Sequence, residues 1–399
     1  MRRVYLDNNA TTPLLPEVRE AMLPYLGEEQ FGNASSIHHY GQQTRAAVER
    51  AREQVAALVG CRQAEIVFTS GGTEADNLAL FGLAKAGDHI ATSTIEHHAV
   101  LHSAKRLEAL GCEVTYVPVD GRGLVDPDDV RRALRSNTRL ISIMMANNET
   151  GVVQPVEEIG KLAAEADVWF HTDAVQAAGK VRVSVPQIGC DLLSLSAHKI
   201  HGPQGTGALY VRKGTLLEAM LYGGRHERSR RAGTENVAGI VGLGRAAEIA
   251  RLGLEQGEDQ RLAGLRDRWE KTVVEKIEAV GVNGGGAPRV PTTSSIWYDF
   301  IEGEAMVIAM DLKGVALSTG AACSSGAIEP SHVLTAMGLS PERARASIRF
   351  SLGKQNTAED VDYALSVLPE VVGRLRELSP LYKKHSAIST QHSAPTRIG

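Results

Sequence analysis

Seven short apolar runs, at residues 65–69, 88–92, 113–117, 139–145, 168–172, 191–195 and 207–211, alternate with helical stretches over the first two-thirds of the chain. A strand that is apolar on both faces must be covered on both faces. When strands alternate with helices, the connections supply that cover, so the pattern predicts a mainly parallel seven-stranded sheet flanked by helices. The helical stretches include 43–59, where Ala47, Ala51, Val55 and Leu58 recur at helical spacing, and 74–85. After about residue 255 the pattern changes. A charged helix over about 256–280 leads to strands at 294–298 and 347–351, with helices at 304–313 and 359–377. The expected division is a large α/β domain over 14–256 and a smaller α+β domain made of 1–13 and 257–379. The tail from 380 mixes Ser, Thr, His, Lys and Gln without periodicity and is expected to be disordered.

Composition narrows the function classes. A chain of 399 residues is long for one core, which agrees with two domains. The net charge of -4 argues against a general nucleic-acid binder. No apolar run approaches the ~20 residues of a membrane span, and Met1-Arg2-Arg3 leads into a strand-like segment without a signal-peptide core. Cys61, Cys112, Cys190 and Cys323 show no CxxC or metal spacing, so no metal site is expected and reduced thiols in a cytoplasmic protein are the simplest reading.

Two of the apolar runs end in a polar residue. Val168-Trp169-Phe170-His171-Thr172 delivers Asp173, and Leu193-Ser194-Leu195-Ser196-Ala197-His198 delivers Lys199. A lysine and an acid so placed suit pyridoxal 5'-phosphate (PLP). The lysine forms a Schiff base with the cofactor aldehyde, and the acid keeps the pyridinium nitrogen protonated so that the ring can accept electrons. Thr69-Ser70-Gly71-Gly72-Thr73-Glu74 follows a strand and opens a helix, where small residues and helix-end amides favour an anion. It lacks the Gly-Lys-Ser/Thr of a P-loop. Gly242-Leu243-Gly244-Arg245-Ala246-Ala247 fits a dinucleotide pattern, but 237–251 reads as one helix with no strand before it, so these are expected to be packing glycines.

Tyr5-Leu6-Asp7-Asn8-Asn9-Ala10-Thr11-Thr12, Ala146-Asn147-Asn148-Glu149-Thr150-Gly151, His171-Thr172-Asp173-Ala174-Val175-Gln176, Ser196-Ala197-His198-Lys199, Arg231-Ala232-Gly233-Thr234-Glu235-Asn236 and Ser347-Ile348-Arg349-Phe350-Ser351-Leu352 resemble, in order, the motifs of the cysteine desulfurases. These are PLP-dependent enzymes of the class-V aminotransferase superfamily, and the details resemble the NifS type of the NifS/IscS family. The resemblance implies fold type I, a homodimer with shared active sites, and conversion of L-cysteine to L-alanine with the sulfur held as an enzyme persulfide.

It also implies roles. Lys199 would be the Schiff-base lysine and the base that moves the Cα proton. Asp173 would pair with the pyridinium nitrogen and Gln176 with the phenolic oxygen. His97, rather than the adjacent His98, would stack on the ring and shuttle protons. Gly72, Thr73, Ser196 and His198 would hold the phosphate, joined by Thr234 from the partner subunit, with the basic run at 225–231 in support. Arg349, Asn148 and Asn33 would bind the substrate carboxylate. Cys323, in the small-residue run Ser318-Thr319-Gly320-Ala321-Ala322-Cys323-Ser324-Ser325-Gly326-Ala327, would attack the substrate sulfur from a mobile loop. A thiolate is the attacking species, so a nearby proton acceptor is expected, with His97 a candidate. An iron–sulfur scaffold or another thiol protein would then accept the sulfur. Cys61, Cys112 and Cys190 border apolar segments and are expected to be inert. The rival readings are a selenocysteine lyase or another PLP enzyme of the same fold and, more remotely, a non-catalytic assembly scaffold.

Overall fold

The computed structural model describes residues 2–320, 330–380 and 382. The strands are β1 (Val4–Tyr5), β2 (Ile66–Thr69), β3 (His89–Ser93), β4 (Glu113–Val117), β5 (Thr138–Ser142), β6 (Trp169–Asp173), β7 (Leu192–Ser196), β8 (Gly207–Val211), β9 (Val280–Val282), β10 (Thr293–Tyr298), β11 (Val315–Ala316) and β12 (Ser347–Ser351). The helices are α1 (Pro16–Met22), α2 (His39–Val59), α3 (Gly72–Phe81), α4 (His98–Ala109), α5 (Pro127–Ala133), α6 (Val156–Glu165), α7 (Val185–Ile188), α8 (Val237–Glu255), α9 (Glu258–Lys276), α10 (Gly303–Leu312), α11 (His332–Ala336), α12 (Pro341–Arg345) and α13 (Ala358–Leu378).

Seven strands form one sheet in the order β2-β8-β7-β6-β5-β3-β4. Only β8 runs against its neighbours, and the other pairs are parallel. This is the expected fold class. The central strands β3, β6, β7 and β8 are buried almost throughout, which is why they read as continuous apolar runs rather than alternating ones. A second core gathers Val4 and Leu6 with Leu262, Trp269, Ile296, Phe350 and Leu368. Its sheet has the order β12-β10-β9, antiparallel throughout. The N-terminal segment thus packs with the later part of the chain, and β1 pairs with β11.

Helix α2 begins at His39, four residues before the apolar periodicity, because the His38 side chain accepts from Gly41 N and caps the first turn. Gly242 and Gly244 lie inside α8, and no strand precedes them. A Cβ at Gly244 would meet Ala51 Cα and Cβ at 2.6 Å, and one at Gly242 would meet Met22 Sδ at 2.7 Å. These glycines let α8 approach α1 and α2, as the packing reading expects. The Tyr382 ring lies tilted against Phe300 at 5.6 Å between centroids, while 381 and 383–399 of the expected tail lie outside the described residues.

Candidate active site

Strands β6 and β7 are parallel neighbours, with Asp173 paired to Ser194. Asp173 is therefore the last residue of its strand. Its neighbour continues through Ser196 into a 3-10 turn, Ala197–Lys199, that carries the lysine. Both groups leave the same end of the sheet, where ligands bind in open α/β folds. Lys199 Nζ donates to the backbone carbonyls of Asn9 at 2.6 Å and Ala10 at 2.7 Å. Asp173 Oδ1 accepts from Val175 N at 2.8 Å. Burial raises the Asp173 carboxyl to about 6, against the opposing pull of the Val175 amide and Lys199. A buried carboxyl in that state is stabilised as the anion by a cation placed against it.

A concave region beside this pair is bordered by Ser70, Gly71, Gly72, Thr73, Ser196 and His198. It faces the start of α3, whose cap residue is Gly71. A Cβ at Gly72 would run into Val175 Cγ2 at 2.8 Å, so only glycine fits that approach. His198 Nδ1 lies 3.1 Å from Thr11 Oγ1, and burial, with Lys199 and Lys180 nearby, lowers the ring to about 4.

His97 and His98 are now distinguishable. His97 caps α4, with Nδ1 accepting from Ala99 N at 3.1 Å. Burial, then Lys199 and then the neighbouring histidines, lowers it to about 4. The neutral ring therefore carries its proton on Nε2, and at neutral pH that nitrogen donates rather than accepts. His98 faces outward, 4.9 Å from His102 and 4.8 Å from His332 between ring centroids.

Arg349, on β12, donates from Nη1 to Asn148 O at 2.9 Å and from Nη2 to Asp7 Oδ1 at 2.8 Å. Its buried Nε has no acceptor among the described residues. Asn147 is fully buried and structural. Its Oδ1 accepts from Glu149 N and Thr150 N, and its Nδ2 donates to Ile95 O. Asn148 is the more exposed of the two.

Not every expected residue joins this group within one chain. Asn33 and Thr234 border a separate crevice. Thr234 also borders a second one with Ser70, Gly205 and Arg231, next to the Gly72 cradle. The preceding turn is held hard: Glu227, Arg228 and Ser229 all have positive φ, and Glu227 is clamped by Arg52 at 2.6 and 2.9 Å. From the basic run, Arg231 pairs with Glu74 on α3, at 2.9 Å.

Cys323 lies outside the described residues, but the chain on both sides of it is moored at the site. Ser318 exchanges backbone hydrogen bonds with Arg349. Gly320 has a φ of +83°, and a Cβ there would meet Glu149 Oε2 at 3.3 Å. Ser331 Oγ donates to the same Glu149 Oε2 at 2.5 Å, and His332 Nε2 lies 3.0 Å from Glu96 O. The other three cysteines have thiols raised by burial, Cys61 to about 12, in keeping with the inert role expected of them.

Sequence reasoning gave Asn9, Lys180, Glu149 and Glu96 no role. Glu96 is fully buried. It accepts from Ser93 Oγ at 2.5 Å and Met144 N at 2.9 Å, yet burial outweighs those bonds and raises it to about 8. A carboxyl raised from 4.5 stabilises the fold fully below its unfolded value and loses that contribution as pH rises through 8. Glu96→Gln is expected to lack this loss. Denaturant unfolding of parent and variant across that window should show stability falling more steeply with pH in the parent; parallel curves would contradict it.

Comparison with known proteins agrees with this geometry. The model of the family described as Aminotransferase class-V matches residues 4–364. A relative named cysteine desulfurase IscS, from Dictyoglomus turgidum, is 52% identical over 392 residues, covering 97% of this chain and 99% of the relative. A solved NifS-like protein superposes with a TM-score of 0.86 at 37% identity, covering 93% of this chain and 99% of its own. The structure titled SspA in complex with cysteine superposes at 0.79 with 36% identity, covering 89% and 100%. The chain belongs to the class-V aminotransferase family, and within it to the cysteine desulfurases.

Proposed function

We propose that this protein is a PLP-dependent cysteine desulfurase that converts L-cysteine to L-alanine and passes the sulfur, through a persulfide on Cys323, to acceptor proteins for iron–sulfur cluster assembly. The observation that carries the reading is the pairing of Lys199 and Asp173 on adjacent strand ends beside the Gly72 cradle. The residues fit the cofactor. Asp173 is a buried carboxyl suited to a pyridinium nitrogen, and Gly72 lets the start of α3 approach Val175, two residues past Asp173, beside a concave region bordered by small and hydroxyl residues. Gly72, Thr73, Ser196 and His198 would hold that phosphate, with Thr234 supplied by a partner subunit in a homodimer. Gln176 and Asn148 would bind the other edge of the ring, and a neutral His97 would cover its face.

When bound, PLP supplies an electron sink for the pair released from the substrate Cα. Lys199 takes the Cα proton. Arg349 and Asn148 hold the substrate carboxylate near the segment moored at Glu149, whereas Asn33, in a separate crevice of this chain, would reach it only from a partner subunit. The Cys323 thiolate attacks the substrate sulfur: the S–S bond forms, the substrate C–S bond breaks, and its electron pair returns to the carbon that becomes the alanine methyl. Lys199 returns a proton. The two cores support the division into 14–256 against 1–13 with 257–379. No helix among the described residues is long and apolar enough to cross a membrane, and a cytoplasmic setting follows from the need for reduced thiols.

The test is amino-acid product analysis of the full chain supplied with PLP, a thiol reductant and L-cysteine, beside other small L-amino acids. Alanine from cysteine alone supports the reading. Transamination of the other amino acids without alanine from cysteine would contradict it.

A further inference from the structure

Lys180 is the one buried lysine among the described residues and has no place in the mechanism above. Its Nζ donates to Gln176 Oε1 at 2.5 Å and to Asn9 Oδ1 at 2.9 Å. Gln176 in turn donates from Nε2 to the Asn9 carbonyl at 3.0 Å, and that same carbonyl accepts from Lys199 Nζ. Asn9 completes the frame by donating from Nδ2 to Asn148 O at 3.1 Å and Thr293 Oγ1 at 2.9 Å.

This frame decides which way the Gln176 amide faces. Flipped, the amide would set Nε2 against the Lys180 donor and Oε1 against the Asn9 carbonyl, two repulsive contacts in a buried place. As observed, both contacts are donor to acceptor, and the second hydrogen of Nε2 remains for an acceptor in the site. Burial, with Lys199 and Arg349 nearby, also pushes the Lys180 amine well below its ordinary range.

We propose that Lys180 is a positioning residue that fixes the Gln176 amide, through Oε1, with its nitrogen presented to the phenolic oxygen of the cofactor, and fixes Asn9, whose carbonyl seats Lys199. The inference rests on the reading that PLP binds at Lys199. Replacing Lys180 by an apolar side chain leaves two buried carbonyl oxygens without a donor and frees the amide to turn.

The test is a double-mutant cycle on the full chain, stripped of cofactor and titrated with PLP: parent, Lys180→Met, Gln176→Leu and the double variant. Each single change is expected to weaken PLP binding about ten-fold, the scale of one lost buried hydrogen bond. The double variant should be no weaker than the worse single, and Lys180→Met should shift the visible absorbance maximum as Gln176→Leu does. Parent-like affinity in Lys180→Met, or penalties that multiply, would overturn the role of Lys180 while leaving the cofactor reading intact. A parent that gains no Schiff-base absorbance would overturn both. Thermal unfolding of each variant reports folding, and if Lys180→Met does not fold, Lys180→Gln carries the same measurements and the same two outcomes.

Discussion

Lys199→Ala is expected to lower alanine formation from L-cysteine by at least about a thousand-fold, within the range that a positioned acid or base contributes to proton transfer. The loss has two sources. The variant has no amine to join the cofactor covalently, and no base at the substrate Cα. Neighbouring nitrogen groups are poor replacements. Lys180 is buried and bonded to Gln176 and Asn9, and the Arg349 guanidinium is held by Asp7 and Asn148. His198, next along the turn, faces Thr11. The Schiff-base absorbance should vanish with the activity, while thermal unfolding of the cofactor-free chains should differ little, because Lys199 is only half-buried. Activity within ten-fold of the parent would contradict its role.

Cys323→Ala is expected to leave the Schiff-base absorbance intact and to reduce alanine formation by at least about a hundred-fold, the lower end of what a lost reactive group costs. The remaining cysteines offer no substitute. Cys112 and Cys190 are buried, Cys61 is half-buried, and all three are held toward the thiol form, whereas the attacking species is the thiolate. The position of the flanking chain gives the prediction its force. Ser331 donates to the Glu149 carboxyl and Gly320 passes close beside it, one residue from Asn148 in the loop that also touches Arg349. The described chain on either side of Cys323 thus ends beside Glu149 and the Asn148–Arg349 contact, which the proposed function assigns to the substrate carboxylate. Alanine formation should be followed under the same reductant for both chains, and equal rates would remove Cys323 from the reaction.

The parts of this site that were legible in the sequence are those written in short stretches. An apolar strand that ends in Asp173 or Lys199 can be seen without knowing its neighbours, and parallel alternation brings those two ends together. The glycine cradle was legible for the same reason, although α3 starts at Gly72 and stops at Phe81, earlier at both ends than its side chains suggested. Gly82 closes it, where a Cβ would meet Leu78 O at 2.5 Å. Asn9 and Lys180 were not legible as partners because the hydrogen bond between them spans 171 positions. Their only local signal was the four-residue spacing from Gln176 to Lys180. The His97 tautomer and the raised Glu96 carboxyl depend on burial and on backbone amides, which side-chain identities do not encode.

The most direct test of the central claim follows both products of one turnover. The full chain, with PLP and without reductant, is given L-cysteine and divided between amino-acid analysis and mass spectrometry of its peptides. The account predicts alanine together with a peptide containing Cys323 that is heavier by one sulfur atom, both absent from the Cys323→Ala chain. Free sulfide and pyruvate, with no sulfur added to that peptide, would contradict it and identify a cysteine lyase that releases its sulfur directly.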